Sequence, residues 1–285
     1  MICEWAVAAL AALLDREPPA AVLPPMWQLG QLLQHPAQAD LGPDGHPRTG
    51  IPSPPGPGLR RMFAGGRVTC TGPVRIGVPA TRRTRLVSRT DKQGRTGPLT
   101  FLTVAYEFEQ DSATVLVEEQ DLVYRGPSGP RAGDGPTVGD GPAVGDGPTG
   151  GRPGGDQPLG PGRVEGGDPV PTGPGERIVR VDPTLLFRFS ALTYNAHRIH
   201  YDRDFAATEG YPGLLVHGSL QALLMAEHCA EDCRLDASAG YRFDYRLTAP
   251  LFDFQGLIVG GDPTALYVRD RTGRHTAAAT LVPAA

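Results

Sequence analysis

GSLQALLMAEHCAED, Gly218 to Asp232, is the clearest helix in the chain. Leu220, Leu223, Leu224 and the alanines among them leave it apolar on nearly every side. A helix apolar all round belongs inside a protein. The runs that follow it, YRFDYRLTAPLF, GLIVGGD, TALYVRDR and HTAAATLV, read as strands. Before it lie a short strand-like run, RIVRV, and a loop-rich stretch through residues 190–217. A sheet wrapped round one buried helix is an α+β layer arrangement.

Further towards the N-terminus, the runs RVTCTGPVRI, TRLVSRT, LTFLTVAYEFE and ATVLVEEQDLVYR are rich in β-branched and aromatic residues. They predict a meander of long antiparallel strands. DKQG at Asp91–Gly94 and QDS at Gln110–Ser112 are expected to turn the chain between them. AVAALAALL, Ala6–Leu14, is too short to span a membrane and no basic cluster precedes it. It reads as an amphipathic helix, or in part as sequence ahead of the true translation start.

Between the two halves the composition changes. The 285 residues include 38 Gly and 30 Pro, about twice the usual share, and most of the excess lies in 126–176. That segment repeats GDGPTV, GDGPAV and GDGPTG with almost no large apolar residue. It cannot bury enough surface to offset the entropy of ordering it, so a disordered linker is expected there. The expected organisation is therefore a first half at 1–125, a linker at 126–176 and a second half at 177–285. The net charge of −4 gives no global basic field for nucleic acid. Cys3, Cys70, Cys229 and Cys233 show neither a CxxC pair nor zinc-ligand spacing. A reducing cytoplasm is the expected setting, with no membrane segment.

The chemistry-bearing stretch is FSALTYNAHRIHYDRDFAATEGYPGLLVHGSLQALL, Phe189–Leu224. Asn195 and His200 can converge only if the chain bends between them, since a helix leaves them about 140° apart and a strand on opposite faces. A loop must therefore hold them, unless His200 is a satisfied core histidine and Asn195 a turn residue. Asp202, RDFAAT and Gly210 read as a short helix with an Asp N-cap and a Gly stop, which would fix the His200 loop. His217-Gly218 opens the buried helix. Its first amides lack internal partners and sit at the positive end of the dipole. A Gly218 amide could approach a carbonyl closely and stabilise a developing enolate, unless the position serves only to cap the helix.

These residues resemble the MaoC-like (R)-specific enoyl-CoA hydratases. His200-Tyr201-Asp202 matches their H-x-D, and Gly210-Tyr211 with His217-Gly218 matches a second block. ALTYNAHRIHYD…GYPGLLVHG is most similar to the FAS1-like dehydratase branch, which includes mesaconyl-C4-CoA hydratases and type 2 hydroxyacyl-thioester dehydratases. LPPMWQLGQLL, LGPDGHPRTG and RRMFAGGRV in the first half resemble the same branch. The resemblance implies a double hot-dog of two antiparallel sheets, each wrapping a helix. It implies a hydro-lyase that adds or removes water across a 2,3-enoyl thioester carried by coenzyme A or an acyl carrier protein. No cofactor or metal is implied, and homodimerisation is compatible with it. Carried over by position, His200 is the catalytic histidine and Gly218 the backbone donor, while Asn195 stands where many relatives have an aspartate. His197, Arg198, Tyr211 and His217 fall at substrate-binding positions. Asn cannot titrate, so the motif offers one base. His200 would take a proton from a bound water and return it to Cα, with Asn195 orienting that water.

Three rivals remain at this level. His197 and His200, with Asp202 or His217, could ligate zinc, although the HExxH glutamate is missing. A thioesterase would direct water at the carbonyl, and no carboxylate here offers that role. Loss of the aspartate could also mark a non-catalytic acyl-CoA-binding or acyl-carrier-binding subunit.

Overall fold

The computed structural model describes residues 1–52, 59–94, 97–126, 168–233 and 237–284. The repeated GDGP segment of the expected linker lies outside these residues. Residues 168–176, also given to the linker by composition, pack on the second half. The Val170 amide donates to the Arg271 carbonyl, and Glu176 accepts from Arg269 and Tyr267.

The first half contributes α1 (Glu4–Leu13) and β1 (Arg60–Cys70), β2 (Thr81–Gly94), β3 (Gly97–Gln110) and β4 (Ala113–Arg125). The second contributes β5 (Arg177–Val179), α2 (Pro183–Thr193), α3 (Arg203–Thr208) and α4 (Gly218–Cys233). It continues with β6 (Tyr241–Leu247), β7 (Leu257–Gly260), β8 (Leu266–Arg269) and β9 (His275–Pro283). β1 and β6 pair antiparallel, joining the halves into one nine-stranded sheet of order β2-β3-β4-β1-β6-β9-β8-β7-β5.

α4 is the buried helix that its sequence requires. Leu220, Ala222, Leu223 and Met225 are fully buried, and the helix packs on β1 and β6–β9. Phe243, Val268 and Trp27 close the same core. The β3–β4 hairpin turns at Asp111 and Ser112, both at positive φ, as the QDS reading expected. The DKQG expectation fails. Asp91–Gly94 continue β2, and Gly94 pairs with Gly97, so the strand pairing outlasts the polar run. RVTCTGPVRI also stops early as a strand, since β1 ends at Cys70 just before Gly72-Pro73. α1 forms as an amphipathic helix, with Val7, Leu10 and Ala11 buried and Trp5 exposed. No described helix is long and apolar enough to cross a membrane.

Candidate active site

Local chain rules build the candidate segment. Asp182 caps α2 by accepting from the Leu185 amide, with Pro183 at the first position. α2 ends at Tyr194, which takes the left-handed conformation. The Asn195 amide donates back to the Ser190 carbonyl, and Asn195 Oδ1 accepts from the His197 amide at 3.1 Å. A single 3₁₀ turn, Arg198–His200, follows. Asp202 then caps α3 by accepting from the Phe205 amide at 2.9 Å, and Gly210 takes positive φ beyond the helix, as the sequence expected. Arg198 straps the segment: it binds Asp202 Oδ2 at 2.7 Å, donates to the Pro43 carbonyl at 3.0 Å and lies 4.4 Å over the Phe205 ring.

His200 is 6% exposed, and its Nδ1 lies 2.7 Å from the Leu215 carbonyl. A carbonyl only accepts, so Nδ1 carries the proton and Nε2 presents a lone pair. That Nε2 has no hydrogen-bond partner among the described residues. Burial pushes the His200 imidazole down to about 4; the Leu215 bond opposes this and the His46 charge adds to it. The ring is thus neutral at pH 7, with the Nε2 lone pair free to accept. It stacks on His217 at 3.6 Å, with the rings 17° apart. His217 immediately precedes α4, so residue 200 lies at the tip of the buried helix.

His217 itself is buried between His200 and Phe189, its Nε2 2.9 Å from Ser190 Oγ. It supports the His200 ring from behind. Gly218 has a packing reason to be glycine. A Cβ there would overlap Leu247 of β6 and come 2.8 Å from Phe63 of β1, where the two halves meet. Its amide has no acceptor among the described residues.

A cleft of about 430 Å³ opens beside this segment, walled by His197, Ile199 and Tyr211 from the second half and Asp44, His46 and Arg61 from the first. His197 faces it directly, and its ring lies 5.6 Å from that of His200, edge-on. Tyr211 packs against Phe252 at 5.9 Å, and burial raises its hydroxyl pKa. Arg198 is spent on the strap.

Sequence reading did not single out Asp44, His46 and Arg61, which line the cleft. Asp44 Oδ2 lies 2.9 Å from His46 Nδ1, and Asp44 Oδ1 accepts from the His46 amide at 3.0 Å. Burial alone would raise the Asp44 carboxyl, but the two His46 bonds outweigh it and hold it well below the usual range. Burial lowers His46 against the pull of Asp44, and Arg61 lowers it further. His197 falls to about 2 through burial, then through His46 and His200. The signal was available: Asp-Gly-His is an Asx-turn sequence with a residue fit for positive φ in the middle.

The metal set considered from sequence, His197 and His200 with Asp202 or His217, is not a cluster of ligand-type atoms among the described residues. Among the described residues, Asp44, His46 and His197 have ligand-type atoms within 4.8 Å of one another. The positive charge of Arg61 beside them opposes a cation.

The buried imidazoles make stability depend on pH. His197 and His200 titrate lower folded than unfolded, so the unfolded chain binds more protons below about pH 6.5. Their contribution is complete above that pH and is lost as pH falls towards the folded values. The midpoint of thermal unfolding should drop between pH 7.5 and 5, and His200→Gln should flatten that drop. A flat wild-type profile would contradict the neutral-imidazole picture.

The Hydroxyacyl-thioester dehydratase type 2 family model matches residues 30–138 and 168–253, more than half of the chain. The mesaconyl-C(4)-CoA hydratase of Chloroflexus aurantiacus is 42% identical over 256 residues, covering 86% of this chain and 79% of that protein. The mitochondrial type 2 hydroxyacyl-thioester dehydratase of Schizosaccharomyces pombe is 37% identical over 76 residues, 26% of this chain and 25% of that protein. Among solved structures, HtdX of Mycobacterium tuberculosis superposes with a TM-score of 0.60 at 15% identity, over 99% of this chain and 95% of its own. A MaoC-like dehydratase from Phytophthora capsici gives 0.61 at 14% identity, over 99% and 93%. With a family model spanning both halves and a relative this similar over most of its length, the chain belongs to the type 2 hydroxyacyl-thioester dehydratase family, on a MaoC-like double hot-dog fold.

Proposed function

We propose that the protein is a hydro-lyase interconverting a 2,3-enoyl thioester and its 3-hydroxyacyl thioester, and that its preferred substrate carries a second, free carboxylate. The observation that carries the first part is the neutral His200 imidazole at the tip of α4, its Nδ1–H held by Leu215 and its Nε2 left as acceptor. In hydration, Nε2 takes a proton from water as the oxygen attacks Cβ. The alkene electrons move into the thioester as an enolate, whose oxygen meets the unpaired Gly218 amide. The proton then returns to Cα and His200 is neutral again. Asn195 spends its oxygen on the His197 amide, so its contribution to the water or the thioester is through Nδ2.

Arg61 supports the second part. Its Nη2 donates to the Pro52 carbonyl at 3.5 Å and the guanidinium lies 5.6 Å over the Tyr124 ring, while its Nε is buried without a partner among the described residues. Neighbouring Arg60, by contrast, is paired with Glu209 at 2.6 Å. A guanidinium whose Nε is buried and unpartnered among the described residues, on the wall of the cleft, favours an anion, and carboxylate is its natural bidentate partner. The name of the Chloroflexus relative specifies a substrate of that class.

The test is a panel of enoyl thioesters followed by loss of enoyl absorbance, using mesaconyl-C4-CoA and crotonyl-CoA with wild type and Arg61→Met. The variant should lose about 100-fold in kcat/KM on the dicarboxylic substrate, or roughly 2.7 kcal/mol of charge-assisted bonding. Crotonyl-CoA should stay within about threefold. Equal losses on both substrates would reject the carboxylate reading, and no turnover by wild type would reject the hydro-lyase.

A further inference from the structure

Asn195 cannot titrate, yet His200 is not the only imidazole near the cleft with a free acceptor nitrogen. We propose that the Asp44–His46 pair, supplied by the first half, is a second hydrogen-bond acceptor of the site and holds the water that adds to the alkene. This inference rests on the hydro-lyase reading above.

The loop carrying the pair is docked against the candidate segment. The Arg198 amide donates to the Asp44 carbonyl at 2.9 Å, and the Arg198 side chain reaches the Pro43 carbonyl. Gly45 has φ +89°, and any Cβ there would overlap the Ala196 carbonyl. Within the loop, the Gly42 amide bonds the His46 carbonyl at 2.7 Å. These contacts set the His46 ring 4.1 Å from that of His197 on the cleft wall.

Asp44 fixes the chemistry of His46. An ionised carboxylate only accepts, so Nδ1 carries the proton and Nε2 offers a lone pair. That Nε2 has no hydrogen-bond partner among the described residues. One ligand-type atom each of Asp44, His46 and His197 lies within 4.8 Å of the others, and the His197 ring is 5.6 Å from that of His200, so His46 and His200 flank one imidazole of the cleft wall. His46 Nε2 would accept one hydrogen of the adding water. The other would point to His200 Nε2, leaving an oxygen lone pair for Cβ. During addition the C–O bond forms and the O–H bond to His200 breaks. The O–H held by His46 survives as the product hydroxyl, and the proton on His200 completes the new C–H bond at Cα.

Three variants test this. His46→Asn keeps a donor for Asp44 but removes the acceptor facing the water. His46→Gln places an amide oxygen near where Nε2 stood. In Asp44→Asn, Oδ1 keeps the residue-46 amide, so Nδ2 must face Nδ1, and the His46 proton moves to Nε2. We expect His46→Asn and Asp44→Asn to lower kcat about 100-fold, with KM within threefold. We expect His46→Gln to retain at least tenfold more activity than His46→Asn. Thermal midpoints and 3-hydroxyacyl-CoA binding should stay near wild type. Wild-type kcat in His46→Asn would overturn the proposal, as would Gln and Asn variants equally impaired or a loss confined to KM. If wild type fails on every enoyl thioester, the hydro-lyase reading falls. If wild type is active and His46→Asn equally so, only this inference falls.

Discussion

His200→Ala is expected to lower kcat about 1,000-fold on an enoyl thioester, within the usual range for removing a general base. The reason is specific to its surroundings. Leu215 fixes the tautomer, His217 fixes the ring plane, and burial keeps the ring unprotonated, so no neighbouring group inherits its position. His197 stands 5.6 Å away, edge-on, on the cleft side. His200→Asn separates chemistry from folding, since its amide can still donate to Leu215 while nothing replaces Nε2. Both variants should bind 3-hydroxyacyl-CoA near the wild-type affinity. Activity within a few-fold of wild type would remove His200 from the mechanism.

Gly45→Ala should have the next largest effect, and on two readouts at once. Alanine at φ +89° is strained, and here its methyl would also meet the Ala196 backbone, which cannot swing aside as a side chain can. A loss of about 2 kcal/mol in stability is expected, measured by urea unfolding. Because Gly45 separates Asp44 from His46, activity should fall further than stability alone explains. A folded Gly45→Ala protein with full activity would show that the loop's docking does not matter to the reaction.

How much of this was legible depends on the range of the interaction. α4 could be read because its apolar residues cover every face, and α3 because Asp202 and Gly210 punctuate it locally. β4 coincides with ATVLVEEQDLVYR. α2 was not read as a helix, and its last residues, 190–193, fell in the loop-rich stretch, although Asp182-Pro183 is a proper helix start. Phe187, 63% exposed, and Arg188 break any clean apolar face, so periodicity gave no help. His200 was singled out from the motif, but its charge state could not be read, because burial and the Leu215 carbonyl come from tertiary packing. Asp44, His46 and Arg61 escaped for the same reason. About 150 residues separate the Asp44 loop from His197, and only the side-by-side joining of β1 to β6 brings the halves into register. Gly218 was read as leaving room for substrate. The contacts of Leu247 and Phe63 give it a packing role that no local pattern encodes.

The most direct measurement is to incubate the purified full-length chain with mesaconyl-C4-CoA and identify the product by mass. The account predicts gain of one water with the thioester intact, and the same mixture reached from the 3-hydroxyacyl side. Unchanged substrate, or release of free coenzyme A without a hydrated thioester, would contradict it.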